Sequence, residues 1–123
     1  MTSTVLKVFL FTVGCLIGTG LDCSAQFTNS ITVNGLNNSD FFGGSVSKAG
    51  DVNGDGFADV IVGAEGVGPA VFGGNARVLS GLDGTTIHSF SDIDLFGFDV
   101  SDLGDVNNDG FDDVMASSRG VNN

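Results

Sequence analysis

The sequence has no tryptophan, no tyrosine and one proline, and it is poor in basic residues. Four Lys and Arg stand against fifteen Asp and Glu, which gives a formal net charge of -11 at pH 7. A chain of this charge repels nucleic-acid phosphates, so we expect no nucleic-acid partner and favour cations instead. With 123 residues, the chain is too short for more than one ordinary domain.

Side chains that commonly carry catalysis are also scarce. His88 is the only histidine, and it falls in a predicted strand, where a solvent-facing or packing role is expected. No Ser-His-Asp pattern can be picked out. Asp99 and Asp102 could form a carboxylate pair for glycoside hydrolysis. The favoured interpretation is that both side chains lie on a strand that is exposed to solvent. The sequence therefore does not predict an enzyme.

Both cysteines fall in a first segment that is typical of a secretory signal peptide. An uncharged apolar run extends from Val8 to Leu21, and small residues at Cys23 and Ala25 stand before Gln26. We expect residues 1–25 to be removed and the protein to be secreted or displayed at the cell surface. The alternative is a retained membrane anchor, although the run is short of the about 20 residues that a span needs. Cleavage would leave no disulfide in the mature chain.

Glycine and phenylalanine are abundant, with 20 and 11 residues, which suits an all-β domain with many tight turns. The segment from Asp40 to Val67 aligns without gaps on Asp94 to Val121, each residue lying 54 positions before its counterpart. Both copies keep Phe-Gly, Val-Ser, "GDVN", "DGF" and Asp-Val in the same order. The sequence is therefore built from one unit used twice.

Hydrophobic alternation and turn residues divide this unit into strands. Four are expected in the first copy: Ser45–Ala49, Asp59–Ala64, Asn75–Ser80 and Thr85–Phe90. Asp83-Gly84 predicts a hairpin turn between the last two. A further strand is expected at Ser30–Gly35. Four strands in a period of this length match one blade of a β-propeller.

An acidic loop lies between the first two strands of each copy. Asp51, Asn53 and Asp55 alternate as do the first, third and fifth ligands of calcium loops. Gly56 permits a sharp bend, after which the Phe57 carbonyl and the Asp59 carboxylate complete the candidate set. The second loop repeats the pattern with Asp105, Asn107, Asp109, Phe111 and Asp113.

These oxygen donors favour calcium over other metals. Magnesium requires stricter octahedral geometry, and zinc would need Cys or His ligands. The alternative is that Asp, Asn and Gly merely form good turns. Repetition of the carboxylates favours the metal interpretation, because carboxylates so close together repel one another unless a cation lies between them.

The stretch "FGGSVSKAGDVNGDGFADVIVGAEG" resembles the FG-GAP repeat of the β-propeller in integrin α-subunits. The resemblance extends from Asp40 to Val121 and implies calcium ligation by the ten residues of the two loops. Glu65 stands where the family has proline, and the second copy reads "ASSRG", so the turn after each loop is expected to differ. The dockerin module also uses "GDVNGDG", but a helix follows it there, and "DVIVGA" does not predict a helix.

This interpretation divides the chain into a signal peptide at 1–25, a lead-in strand at 26–39, one blade at 40–93 and an incomplete blade at 94–123. A propeller usually needs about four to eight blades to close. Either the sequence is a fragment of a longer repeat protein, which we favour, or copies assemble into a ring. Further blades, in cis or by oligomerisation, are therefore expected partners.

Three functions are open at this point. The favoured one is a secreted or cell-surface, calcium-binding module for adhesion, which binds an extracellular protein or glycan. The second is an accessory propeller of a larger secreted enzyme, and the third is a small oligomeric, lectin-like propeller. Fold alone does not choose among them.

Overall fold

The computed structural model describes residues 5–12, 26–36, 40–66, 73–92 and 94–120, with side chains from residue 31 onwards. These residues form eight strands and no helix: β1 Val5–Thr12, β2 Gln26–Asn34, β3 Ser45–Gly50, β4 Asp59–Ala64, β5 Gly74–Leu79, β6 Thr86–Asp92, β7 Phe96–Gly104 and β8 Asp113–Ser118. The prediction of an all-β fold is confirmed. Within the described ranges, no helix is long and apolar enough to cross a membrane.

Strands β3 to β6 form one antiparallel sheet in chain order, as a propeller blade requires. Their bounds agree with the four predicted strands to within two residues at each end. The predicted turn between β5 and β6 also forms, since Gly84 has φ 78° and Ser80 N–H donates to the Thr85 carbonyl at 2.8 Å. Hydrogen bonds from Thr85 to the Asp83 carboxylate lower the pKa of Asp83.

The middle strands of this sheet, β4 and β5, are buried on both faces. Ile61 and Val78 belong to one apolar cluster, whereas Val62 and Leu79 belong to a second cluster on the opposite face. Side chains alternate between the faces of a strand, so a continuous apolar run such as "DVIVGA" fills both clusters. Full burial of each such side chain stabilises the fold by about 1.5–3 kcal/mol.

A second, two-stranded sheet formed by β7 and β8 covers the Ile61 cluster. Val100 of β7 is buried there, and Val114 and Ala116 of β8 pack against it. Gly97 crosses β5 so closely that an added Cβ would collide with the Asn75 carbonyl oxygen. The glycine of the second Phe-Gly pair therefore permits this approach, and it also has φ 80°.

Polar contacts join β3 to β7 along the same interface. Ser45 Oγ lies 3.2 Å from Asp99 Oδ1 and accepts the N–H of Val100 at 3.1 Å. Lys48 Nζ lies 2.9 Å from Asp102 Oδ2. Ser45 and Asp99 are counterparts in the two units, as are Lys48 and Asp102. Equivalent positions of successive units thus face each other.

The opposite face of the first blade is covered by the segment that precedes it. Val33 of β2 packs against the cluster that contains Phe42. The Arg77 guanidinium donates to the Asn34 carbonyl oxygen at 2.8 Å and lies 4.0 Å from the centre of the Phe42 ring. The middle strands of the first blade therefore lie between β2 and the second unit.

Strand β2 confirms the strand expected at Ser30–Gly35 and begins earlier, at Gln26. It pairs antiparallel with β1, with Val5 opposite Asn34. Of the predicted signal peptide, only residues 5–12 are described, and residues 13–25 lie outside the described ranges. Removal of residues 1–25 stays a prediction, as does the division of the chain into segments.

The backbone repeats along with the sequence. Positive φ angles occur at five pairs of positions that are 54 residues apart: 41 and 95, 43 and 97, 50 and 104, 54 and 108, 56 and 110. One of these ten is Asn108, which stands where the first unit has Gly54 and has φ 64°. The two units therefore follow one backbone path through their opening turn and their acidic loop.

Candidate metal loops

The first acidic loop bends around the carboxylate of Asp51. Its Oδ1 accepts the N–H groups of Gly54 at 2.7 Å and Asp55 at 3.0 Å, and its Oδ2 accepts that of Gly56 at 2.8 Å. Gly56 has φ 86°, and a Cβ there would meet no atom within 4 Å. The backbone angle, rather than crowding, therefore accounts for glycine at the bend.

The other predicted ligands of this loop also turn towards its backbone. Asn53 Oδ1 accepts the N–H of Asp55 at 2.9 Å, and Asp55 Oδ1 accepts that of Phe57 at 2.8 Å. Asp59 Oδ2 closes the loop by accepting the N–H of Val52 at 3.0 Å. Short side-chain-to-backbone bonds of this kind are the usual reason why Asp and Asn favour turns.

The second loop makes five equivalent bonds with closely similar lengths. Asp105 accepts the N–H groups of Asp109 at 3.0 Å and Gly110 at 2.8 Å. Asn107 Oδ1 accepts from Asp109 at 2.9 Å, Asp109 Oδ1 from Phe111 at 3.0 Å, and Asp113 Oδ2 from Val106 at 3.0 Å. Two segments 54 residues apart therefore hold their oxygen donors in one arrangement.

The donors of each loop are three carboxylates, one amide oxygen and one backbone carbonyl, which is a set of hard oxygens suited to calcium. In the described part of the chain, no three His, Cys, Asp or Glu side chains are close enough together to hold a metal ion. Carboxylates repel one another when no cation lies between them. The donor chemistry thus fits calcium, while the carboxylates of a loop would have to draw together around it.

The two loops differ in how deeply their last carboxylate is buried. Asp59 is 1% exposed, and its Oδ1 accepts the N–H of Gly81 at 3.0 Å in addition to the bond from Val52. Burial raises the pKa of Asp59, while the two N–H groups act in the opposite direction. Its counterpart Asp113 is only half-buried. The last carboxylate of the first loop is therefore built into the blade, whereas that of the second lies nearer the surface.

The loops also touch each other, which sequence reasoning did not predict. Asp112 Oδ2 accepts the N–H of Asp51 at 2.8 Å, and the N–H of Asp112 donates to the Asp51 carbonyl at 3.2 Å. The Phe111 ring packs over Gly54, where its Cε1 lies 2.8 Å from the place of an added Cβ. A difference between the units, Asp112 against Ala58, was the one sequence signal of this contact.

Each residue considered for catalysis has other neighbours in the fold. His88 is exposed on β6, with its ring centre 6.0 Å from that of Phe90, as the expected solvent-facing role implies. Asp99 and Asp102 are engaged with Ser45 and Lys48 at the interface of the units.

An open cleft of about 360 Å³ lies beside the second loop. It is lined by Val52, His88, Phe90, Asp109, Phe111, Asp112, Asp113 and Val114.

A four-stranded blade followed by a second unit, each with the same acidic loop, defines an all-β repeat protein of the propeller type. Residues 42–79 match the family model of the FG-GAP repeat. The chain therefore contains an FG-GAP repeat, which runs from Phe42 at the opening turn to Leu79 at the end of β5. The second unit lies outside the matched residues and repeats their pattern. The resemblance seen in the sequence is confirmed.

Proposed function

We propose that the protein is a calcium-binding FG-GAP module of the integrin-α type that acts outside the cell or at its surface in adhesion or ligand binding. The observation that carries the proposal is the duplication of the loop, including its hydrogen bonds to the same backbone positions. Turns alone need one or two capping side chains, whereas each loop carries three carboxylates at the spacing of calcium ligands.

Burial of Asp59 is a second argument for a cation. An ionised carboxylate that is taken out of water destabilises the fold unless hydrogen bonds or an opposite charge compensate for it. Two N–H groups supply part of that compensation. Calcium bound by Asp51, Asn53, Asp55, the Phe57 carbonyl and Asp59 would supply the rest and would tie the end of β3 to the start of β4.

The ion is thus assigned a structural role, and the extracellular protein or glycan ligand would bind elsewhere on the module. Further blades, in cis or by oligomerisation, would complete the propeller. Extracellular action also accords with the predicted signal peptide. An array of glycans and extracellular proteins can be probed with the protein in calcium and in chelator. We expect the protein to bind an array member in calcium and to lose that binding in chelator. Equal binding in both conditions would show that ligand recognition does not depend on calcium.

Calorimetric titration of the mature chain with calcium tests the metal assignment. We expect two sites per chain with dissociation constants of about 10⁻⁴ to 10⁻³ M, the range of extracellular modules. Asp55→Ala should remove one site and Asp109→Ala the other. Asp83→Ala, which removes an exposed carboxylate from the β5–β6 turn, is the matched control and should retain both. Binding that survives the double loop variant would overturn the assignment.

A further inference from the structure

Asp112 holds the first loop at the residue where that loop begins. Its carboxylate accepts the N–H of Asp51 at 2.8 Å, and its own N–H donates to the carbonyl of Asp51 at 3.2 Å. Both backbone groups of Asp51 are thus fixed by one residue of the second unit. Asp51 in turn holds the N–H groups of Gly54, Asp55 and Gly56, so its orientation determines the path of the first loop.

The contact requires glycine immediately before Asp51. A Cβ at Gly50 would collide with the Asp112 carboxylate, whereas a Cβ at its counterpart Gly104 would meet no atom within 4 Å. Ala58, the counterpart of Asp112, has no carboxylate to make an equivalent contact. The contact thus runs in one direction only, from the second loop to the first.

The contact also places another negative charge beside an acidic loop. Asp51 and Asp55 already bring two carboxylates to the exposed part of the first loop, and Asp112 lies against the backbone of Asp51. Like charges at such distances repel one another. A cation in the first loop would relieve this repulsion, whereas an empty loop would oppose the approach of Asp112.

We propose that Asp112 is a positioning residue that couples calcium binding in the first loop to packing of the second unit against the first. The proposal rests on the proposed function, because the coupled ligand is calcium. When the units are packed, Asp112 orients Asp51 for the ion; when the ion is bound, the Asp112 carboxylate is better tolerated at the interface. Coupling of this kind is reciprocal, so each event strengthens the other by the same factor.

Hydrogen exchange of the Asp51 amide in chelator tests the contact without calcium. In the native sequence this N–H should be protected, since Asp112 Oδ2 accepts it. Asp112→Ala should speed its exchange by at least about tenfold, while Asp112→Asn, which keeps an acceptor oxygen, should retain protection. Asp99→Ala is the matched control, because it also removes an interface carboxylate but leaves Asp51 untouched.

Calcium titration followed by nuclear magnetic resonance tests the coupling. The amides of Gly56 and Gly110 report separately on the two loops. Asp112→Ala should weaken binding reported by Gly56 about 5- to 20-fold, within the usual range of coupling between sites, and should change binding reported by Gly110 much less. Asp112→Asn should give an intermediate loss, since it keeps the hydrogen bond and removes the charge. Asp99→Ala should leave both affinities unchanged.

The proposal is overturned if Asp112→Ala matches Asp99→Ala in both exchange and affinity, or if it weakens both loops equally. If Asp112→Ala unfolds, Asp112→Asn decides: a protected Asp51 amide with reduced affinity at Gly56 supports the coupling, and unchanged affinity overturns it. Absence of calcium binding to the native protein, together with a protected Asp51 amide, would refute the calcium assignment and the coupling while retaining the contact itself.

Discussion

The two acidic loops have nearly the same sequence and different surroundings. The first is partly covered: Asp59 is buried against Gly81, and Asp112 and Phe111 of the second unit lie over Asp51 and Gly54, while residues 53–58 are exposed. In the second loop, Asp105 and Asp109 are exposed and Asp113 is half-buried. Local hydrogen bonds thus follow from local sequence, whereas burial depends on which distant segments pack against the loop: Gly81 of the same blade at Asp59, and the second unit at Asp51.

The same contrast applies to the apolar strands. Ile61 in β4 is 0% exposed because β7 and β8 cover it, while its counterpart Met115 in β8 is 51% exposed. Likewise Ala49 is fully buried, and its counterpart Leu103 is 45% exposed. Equivalent positions of the two units therefore contribute differently to the free energy of unfolding. Paired substitutions can measure the difference.

The largest expected difference is between Ile61→Ala and Met115→Ala. Removing a fully buried Ile side chain costs about 2–5 kcal/mol, because a cavity adds to the lost burial. Substitution of a half-exposed residue at the surface usually changes stability by less than about 0.5 kcal/mol. Urea unfolding of both variants in the same calcium buffer measures the difference. Equal losses would show that another surface covers Met115 in solution, and the contrast between the units would fail.

The next largest difference is expected between Asp59→Ala and Asp113→Ala, measured by urea unfolding in chelator. Loss of Asp59 leaves the buried N–H of Gly81 and the partly buried N–H of Val52 without their acceptor, which costs about 1–3 kcal/mol or more. Loss of Asp113 frees one N–H, that of Val106, at an exposed residue, so a smaller change is expected. A larger loss for Asp113→Ala would contradict the difference in burial between the last carboxylates of the two loops.

The strands were predictable because each carries its own signal. "DVIVGA" is apolar and β-branched, Asp83-Gly84 marks a turn, and repetition of the unit supports the first two strands, which recur as β7 and β8. The hydrogen bonds within each loop follow from the same local logic, since Asp and Asn bond to backbone groups a few residues away.

Contacts between distant residues were not predictable in this way. The bond from Asp51 to Asp112 joins residues 61 positions apart, and the bond from Arg77 to Asn34 joins residues 43 apart. Burial of Asp59 depends on Gly81, which follows β5. Such contacts depend on how sheets pack, and neither period nor turn chemistry encodes that packing.

The smallest effect is expected at Lys48 and Asp102, the counterpart residues that pair across the interface. The hydrogen bond from Lys48 lowers the pKa of Asp102 below 3.8, and the bond to Asp102 raises the pKa of Lys48 above 10.5. The pair therefore contributes stability between these values. This contribution is lost as the pH falls through the lowered pKa of Asp102. It is also lost as the pH rises through the raised pKa of Lys48.

Lys48→Met should therefore lower stability slightly at pH 7, since the Lys48 side chain is 80% exposed and water screens the pair. The deficit should vanish at strongly acidic pH, where Asp102 is protonated. Lys48→Arg should keep the pair and serves as the control. Urea midpoints measured across the acidic range give the comparison. A deficit that does not change with pH would mean that Lys48 acts through packing rather than charge.

The most direct test of the account is a set of thermal melts of the protein in calcium, in magnesium and in excess chelator. Calcium at ten times its dissociation constant stabilises the folded form by about 1.4 kcal/mol per site, a large share of a typical total of about 5–15 kcal/mol. We expect chelator to lower the melting midpoint clearly and magnesium to restore little of it. Three coincident curves would show that the loops hold no stabilising ion and would contradict the account.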